Sequence, residues 1–334
     1  MTSGLSTGLS RRRAALLALL LAALVAAPWF VNDYLLTVLV LILYFAYAGQ
    51  AWNVMMGFAG QLSLGHALYV GLSSYVAAML FTRLGVGPWL GLLAAIPLAA
   101  ACGAIIGYLA FRFRVAGVYF AILTIAFAEF ARIGFDNWGF VNGSSGLFLP
   151  VKQYEHNDLW LLRGAPAMFY YVILAATALV FVLCHFLVRS RIGYFWLAIR
   201  EDEEAARAVG IDTFRYKMYA VMVSAAVTSF AGVFYASFYN NLFPEQVFSI
   251  SRSIEIILGP IIGGIGTLFG PILGAFVLTG LAEALNAVMG AFGLELPGAK
   301  QVFYGVCLLL VVVALPDGVW PPLARRLGVA ERKP

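Results

Sequence analysis

The feature that most constrains this chain is a succession of long apolar segments separated by short polar ones. A helix rises about 1.5 Å per residue, so about 20 apolar residues cross the hydrocarbon core of a bilayer. Apolar residues make up 63% of the 334 residues, well above the roughly 45–50% of soluble proteins. The chain is therefore predicted to be an all-α polytopic membrane protein. About ten transmembrane segments, some short or broken, are predicted at residues 14–31, 33–50, 62–82, 89–111, 116–135, 166–188, 214–240, 253–267, 268–290 and 300–315.

Lys and Arg are distributed unequally between the connecting segments, and basic loops are usually cytoplasmic. With the amino terminus inside, only six of the 21 Lys and Arg residues fall on the outer side. These are Arg83, Arg132, Lys152, Arg163, Arg252 and Lys300. This bias predicts a protein of the inner (plasma) membrane with both termini in the cytoplasm. The predicted parts are a cytoplasmic tail at 1–13, a transmembrane domain at 14–315 with an outer loop at 136–165 and a cytoplasmic loop at 189–217, and a cytoplasmic tail at 316–334.

The first apolar segment also resembles a secretory signal peptide. Arg11, Arg12 and Arg13 precede it, and a small-residue stretch ends at Ala27. The apolar segment continues beyond Ala27 to Phe30, and further spans follow directly. An uncleaved first helix is therefore favoured over a cleaved signal.

One short segment, residues 189–217, is densely charged in a chain that is only 11% charged. Such a segment is predicted to lie in water, because burying unpaired charge in lipid is costly. The acids at positions 201–204 favour the positive amino end of a helix, and Gly210 suits the left-handed position after a last turn. These signals predict one short helix over residues 200–210.

The predicted helix has an apolar face at Ile199, Ala206 and Val209 and a ridge of small residues at Ala205, Ala206 and Ala208. An amphipathic helix of this kind can lie along the membrane and offer its ridge to a groove on another protein. The alternative is an ordinary cytoplasmic loop that is basic for topological reasons alone.

Two glycine-rich stretches precede apolar segments. In the first, residues 57–75, glycines alternate with polar side chains, and in the second, residues 262–271, Gly and Pro forbid a straight helix. Broken helices that border a translocation pathway are one interpretation, and helix capping with tight packing is the other. The similarity between 60–65 and 266–270 also raises an internal duplication as an alternative to chance. The candidate pathway residues here are Gly60, Gln61, Ser63, His66, Gly264, Gly266 and Thr267.

Glu129 and Arg132 lie one helical turn apart near the outer end of the fifth segment. Charges inside a membrane are costly and often functional, so the pair is either a pathway element or a structural pair that reaches the interface. Glu255 and Glu283 are single acids in apolar surroundings. A secondary transporter that uses these three acids as proton or sodium sites is the main rival class.

Signatures of catalysis are missing from the sequence. It contains no HExxH, no CxxC and no GxxxxGK[ST] loop, and Cys102, Cys184 and Cys307 lie in apolar runs as packing residues. We therefore expect no enzyme activity, no metal site and no cofactor, and a membrane enzyme is a weaker alternative. If ATP drives the protein, a partner subunit must bind it. No nucleic-acid partner is expected.

Several motifs resemble those of one transporter family. Glu204-Ala205-Ala206, followed after three residues by Gly210, resembles the head of the EAA loop by which permeases of ABC importers engage their ATPases. AIREDEEAARAVGI, with KMYAVMVSAAVTSFAGVFYA after it, resembles the LivM family of branched-chain amino acid permeases. Gly-Gln-x-Ser-Leu-Gly-His at 60–66 and Gly-Gly-x-Gly-(Ser/Thr)-x-x-Gly-Pro at 263–271 are similar to further family signatures. The Leu-Pro ending of the general EAA pattern is missing, as is usual for this family.

This resemblance implies a LivH/LivM-type permease bundle that forms the pathway for branched-chain or related amino acids. The implied partners are a LivH-type permease, two ABC ATPase subunits of LivG/LivF type, a periplasmic solute-binding protein and the bilayer. Urea, short amides or aromatic acids are the alternative solutes. The implied ATPase-coupling residues are Arg200, Glu201, Asp202, Glu203, Glu204, Ala205, Ala206, Arg207 and Gly210.

The outer loop holds a segment similar to a Thr-Gly-Gly-x-(Asn/Asp)-Gly-Leu motif of the family. It departs from that motif at Asn142 and Ser145, which leaves the solute open. A surface for the binding protein is one interpretation of the loop, and a plain connection is the other. The implied contact residues are Asn142, Gly143, Ser144, Ser145 and Gly146.

Overall fold

The chain folds into a bundle of α-helices, and the computed structural model describes residues 21–150, 157–291 and 298–326. Predictions for residues 1–20, 151–156 and 327–334 lie outside the described residues. The α-helices are α1 Asp33–Asn53, α2 His66–Leu84, α3 Pro88–Arg112, α4 Val118–Asn137, α5 Pro166–Arg189, α6 Arg191–Glu201, α7 Glu203–Ala208, α8 Thr213–Tyr239, α9 Pro244–Val247, α10 Ile250–Gly263, α11 Gly270–Ala291, α12 Ala299–Ala314 and α13 Trp320–Arg326. Residues 21–26 are also helical.

Among the residues that the structure describes, seven helical stretches are long and apolar enough to cross a membrane, which confirms the all-α polytopic fold. They are α1 with the π-helical turn Val54–Phe58 that continues it, α2, α3, α4, α5, α8 and α11. The predicted segment 253–267 instead forms the 14-residue α10, about 21 Å long at 1.5 Å per residue, and is too short to span alone. The predicted segment 300–315 forms the 16-residue α12. The count of ten is therefore approximate.

The helix boundaries follow from local chemistry. Asn32 caps α1 by accepting the Leu35 amide at 2.9 Å, and Pro88 and Pro166 begin α3 and α5, where a missing N–H costs nothing. Gly85 ends α2 and Asn240 ends α8, both in the left-handed conformation with φ of +66° and +60°. These caps set the lengths that let each helix cross the bilayer.

Helix α1 forms the centre of the bundle and packs against α5, α8, α10 and α11, while α2 and α3 pack against α8. The α1 span is 72% buried, the largest share among the seven. Glycine permits the close approaches: a Cβ on Gly232 of α8 would overlap the Val70 carbonyl oxygen of α2. The core is therefore organised around helix pairs that touch backbone to backbone.

The helix connections gather at two ends of the bundle. At one end, which we call the α7 end, α6 lies beside the chain between α1 and α2 and beside the chain between α10 and α11, and α7 follows α6 directly. The segment before α13 also lies there, since the Val319 amide donates to the Ile262 carbonyl at 2.9 Å. At the opposite end, strand β1 (Leu147–Phe148) pairs antiparallel with strand β2 (Asn241–Leu242).

Candidate functional site

The charged segment at the α7 end forms two helices, so the prediction of one helix over 200–210 is wrong. The chain leaves α6 at Asp202, which has an extended backbone with φ of −156°. The Asp202 carboxylate accepts the amides of Glu204 and Ala205, both at 2.9 Å, and so caps α7. Arg200 and Glu201 consequently belong to α6. Gly210 has φ of +91° just after α7, as the sequence predicts.

The exposed surface of α7 differs from the predicted one. Ile199 and Ala206 are buried as expected, but Val209 is 79% exposed, because the helix ends at Ala208 and the chain turns away. Ala206 faces the bundle and does not belong to the small-residue ridge. Four residues form what we call the exposed α7 face: Glu204, Ala205, Ala208 and Val209.

An ion pair holds α7 against the bundle. The Lys217 ammonium of α8 donates to both Glu203 carboxylate oxygens at 2.8 and 2.9 Å, and it lies 4.7 Å from the centre of the Phe111 ring of α3. Arg207 adds a contact to Glu203 at 3.0 Å. Partial burial raises the pKa of the Glu203 carboxyl, but the hydrogen bonds and charges of Lys217, Thr213 and Arg207 outweigh it and bring that pKa below its ordinary value. Glu203 is thus ionised at neutral pH and faces inward.

The first glycine-rich stretch forms a turn, residues 59–65, which we call turn 1. Gly60 has φ of +70°, which suits glycine. The Gln61 side chain donates to the Ala59 carbonyl at 2.9 Å, and Ser63 accepts the Trp52 indole N–H on its carbonyl at 2.8 Å. The Thr124 hydroxyl of α4 accepts the Leu64 amide at 3.0 Å, so turn 1 is tied to α4.

His66 is fully buried and packs α2 onto α8. Its Nε2 lies 3.0 Å from the Ser224 hydroxyl oxygen, and that hydroxyl donates to the Ala51 carbonyl at 2.7 Å. Because the Ser224 proton is already used, His66 Nε2 must carry the proton and donate. The arrangement gives His66 a packing role between α1, α2 and α8.

Within the second glycine-rich stretch, residues 264–269 interrupt the helix between α10 and α11, as predicted. We call this segment turn 2. Gly264 and Gly266 have φ of +125° and +77°. The Thr267 hydroxyl donates to the Gly264 carbonyl at 2.8 Å and accepts the Gly270 amide at 3.0 Å. Thr267 therefore closes turn 2 and starts α11.

Amide side chains of α1 bond turn 2 to the helix that precedes turn 1. Asn53 accepts the Gly266 amide at 2.9 Å and donates to the Thr267 carbonyl at 3.0 Å. Gln50 donates to the Leu268 carbonyl at 2.6 Å. The sequence analysis missed both residues, although a polar amide inside an apolar segment is a signal for such a contact.

The pair Glu129 and Arg132 extends to a third residue, Asp136, on α4. Arg132 lies 2.6 Å from Glu129 and 2.6 Å from Asp136. The Glu129 side chain is 50% exposed, and Phe130 beside it is 75% exposed. We call Glu129, Arg132 and Asp136 the α4 charge cluster. It lies on the lateral surface of this subunit, away from turns 1 and 2.

The other membrane acids do not gather into a cluster. Glu255 pairs with Arg252 on α10 at 3.0 Å, and Glu283 accepts a hydrogen bond from Asn286 on α11 at 3.4 Å. Within the described ranges, no three or more His, Cys, Asp or Glu side chains are grouped so that they could hold a metal ion.

The outer-loop segment 142–146 lies at the end opposite α7. Short 3-10 turns, Gly139–Val141 and Gly143–Ser145, flank Asn142, which has φ of +66°. Asn142, Ser144 and Ser145 are exposed, whereas Gly143 and Gly146 are buried. Only the first three present side chains on the surface.

Comparison with known proteins gives one consistent family. A family model for the permease component of branched-chain amino acid transport systems matches residues 34–312. The LivM permease of Escherichia coli is 29% identical over 327 residues, which cover 92% of this chain and 74% of that protein. LivM of Salmonella typhimurium is 28% identical with the same coverage, and LivH of Salmonella typhimurium is 26% identical over 82% of this chain and 90% of that protein. This chain belongs to the family of branched-chain amino acid transport permeases and is a permease subunit of an ABC importer.

Proposed function

We propose that this subunit forms part of a pathway for branched-chain or closely related amino acids and that ATP hydrolysis in two separate subunits drives transport. A LivH-type permease would complete the membrane part, and a soluble binding protein would deliver the solute from outside. The LivM and LivH proteins that resemble this chain act in high-affinity branched-chain amino acid transport systems by name, which supports the solute class.

The exposed α7 face is the observation that carries this proposal. Ala208 and Val209 present apolar surface at a polar end of the bundle, and the pair of Glu203 with Lys217 keeps α7 rigid beneath it. A short, rigid helix with small exposed residues suits a groove on a partner protein. The basic residues near it, such as Arg112 and Arg191, support a cytoplasmic position for this end.

The α4 charge cluster supports a pathway beside α4. Glu129 lies eight residues before the end of α4 at Asn137, about 12 Å along the helix axis at 1.5 Å per residue. Arg132 and Asp136 lie closer to that end, but a charged Glu129 on a lateral surface at that depth is unfavourable against hydrocarbon. We infer that this face meets the second permease or the water-filled route between the two subunits.

Transport would then follow from movements at both ends of the bundle. Closure of the ATPases would push on α7, and the bundle would change between inward and outward openings. The binding protein would contact Asn142, Ser144 and Ser145 at the opposite end and bias the same equilibrium. Ion coupling is disfavoured at Glu129 and Glu255, because each is already paired with an Arg three residues away.

The test is uptake by proteoliposomes that contain this subunit, a LivH-type permease and both ATPases. We expect leucine uptake only with ATP on the α7 side and a leucine-loaded binding protein on the other. Dissipating proton and sodium gradients should leave uptake unchanged. Uptake without the ATPases would contradict the proposal, and ATP-driven uptake of urea or an aromatic acid in place of leucine would overturn only the solute class.

A further inference from the structure

Arg200 reaches inward from the end of α6 to the two turns. Its Nη1 donates to the Gly57 carbonyl oxygen at the end of α1, and only 34% of its side chain is exposed. Its Nη2 lies 3.5 Å from the carboxylate of Glu201, whose own side chain is 77% exposed. Arg200 therefore joins an exposed part of the α7 end to the interior of the bundle.

Three glycines surround the Arg200 side chain, and we call Gly57, Gly60 and Gly266 the glycine socket. A Cβ on Gly60 would lie 3.0 Å from the Arg200 Cγ, and a Cβ on Gly266 would overlap the Arg200 guanidinium. The Gly57 carbonyl oxygen would lie 2.7 Å from the same Cβ on Gly266. The guanidinium fits beside turn 2 because Gly266 lacks a side chain, and the aliphatic part of Arg200 fits against turn 1 because Gly60 lacks one.

The glycine socket is formed by residues from both broken helices. Gly57 and Gly60 lie at the end of α1 and in turn 1, whereas Gly266 belongs to turn 2, and Asn53 bonds α1 to turn 2 through the Gly266 amide. Arg200 therefore lies against both the chain that connects α1 to α2 and the chain that connects α10 to α11. No other contact described above joins α6 to both turns.

We propose that Arg200 transmits movement of α6 and α7 to turns 1 and 2, and that it acts as a positioning residue between these two helices and the ends of α1, α2, α10 and α11. The proposal rests on the function proposed above, and it replaces the expectation that Arg200 contacts the ATPase. Arginine suits this task because its planar group carries five donors in a fixed fork and stays charged. The Arg200 side chain thus links α6 directly to turns 1 and 2.

The test uses Arg200→Met in the complete complex, with Arg191→Met at the exposed start of the same helix as the matched control. We expect Arg200→Met to co-purify with both ATPases and to keep basal ATP hydrolysis. Leucine uptake should fall at least about ten-fold, because a hydrogen bond from a charged donor is lost. Stimulation of hydrolysis by the loaded binding protein should fall equally. The control should behave as the parent.

A second measurement follows turn 2 itself. Ile265 is 38% exposed in turn 2, so Ile265→Cys, in a background without the native cysteines, reports on this turn through its rate of labelling by a polar maleimide. We expect the rate to differ between nucleotide-free and ATP-trapped complexes in the parent and to be the same in both states with Arg200→Met. A purely structural role for Arg200 would not remove this difference.

The inference would be overturned if Arg200→Met left uptake unchanged or left the nucleotide effect on labelling unchanged. Loss of the ATPases from the Arg200→Met complex would also overturn it, because Arg200 would then be a docking residue. If Arg200→Met does not fold, Arg200→Lys replaces it; its single ammonium cannot fill the socket, so uptake should still fall at least about three-fold. Uptake equal to the parent would again overturn the inference. If the parent complex itself needs no ATPase, the proposed function fails instead.

Discussion

Replacing Ala208 by tryptophan is expected to abolish recovery of the ATPase subunits with the permease. Ala208 lies in the exposed α7 face, where a small side chain lets a partner surface approach the helix closely. Disrupting a hot-spot position near the centre of an interface costs about 2 kcal/mol or more, so binding should weaken roughly thirty-fold or more. The measurement is the ratio of ATPase to permease after affinity purification in detergent.

Ala208→Ser is the matched control, because it adds one oxygen without blocking a groove. We expect normal recovery with this variant and normal yield of the permease with both variants, since Ala208 is exposed in the isolated subunit. Full recovery of the ATPases with Ala208→Trp would show that the partner does not use the exposed α7 face.

Replacing Gly274 by alanine is expected to prevent α10 and α11 from packing together. A Cβ on Gly274 would overlap the Gly259 carbonyl oxygen, and backbone cannot move aside as a flexible side chain can. Overpacking in a core costs about 1–3 kcal/mol and more where backbone must shift, so we expect a loss of about 3 kcal/mol. The measurement is the thermal midpoint of the purified subunit, together with the yield of monodisperse protein.

Gly290→Ala on the same helix provides the opposite result as a control. No heavy atom of the described residues lies within 4 Å of a Cβ at Gly290, so the change adds helix propensity without a clash. Alanine stabilises a helix by up to about 1 kcal/mol relative to glycine, so the thermal midpoint should stay the same or rise. Equal midpoints for the two variants would show that α10 and α11 do not touch at Gly274.

Much of the architecture was predictable because membrane spans carry local signals. The apolar segments at 33–50 and 166–188 correspond to α1 and α5, since length and apolarity alone determine a span. The break at 264–269 was also predictable, because Gly and Pro exclude a straight helix there. These features depend on neighbours in sequence.

The contacts that define the candidate site depend instead on residues far apart in sequence. Arg200 meets Gly57, and Asn53 meets Gly266, across more than 100 residues of chain in each case. The family resemblance placed Arg200 among the ATPase-coupling residues because it lies in the segment that carries that resemblance. No local pattern states that its side chain turns inward.

The division of the charged segment into α6 and α7 was missed for a local reason. Asp202 was counted with its neighbours as one of four acids that favour a helix amino end, whereas its side chain caps a second helix. Aspartate is favoured both in the first turn of a helix and at the N-cap before it, so the sequence pattern alone does not show which of these positions Asp202 takes. The inward turn of Glu203 follows from its pair with Lys217, a contact that the sequence analysis did not consider.

The most direct measurement of the central claim is site-specific photocrosslinking from position 209. The exposed α7 face is proposed to bind an ATPase subunit, and Val209 is an apolar residue of that face that is 79% exposed. With a photoreactive amino acid at this position in the complete complex, we predict a crosslink to an ATPase subunit. A crosslink to the binding protein, or no crosslink to an ATPase in a complex that transports solute, would contradict the account.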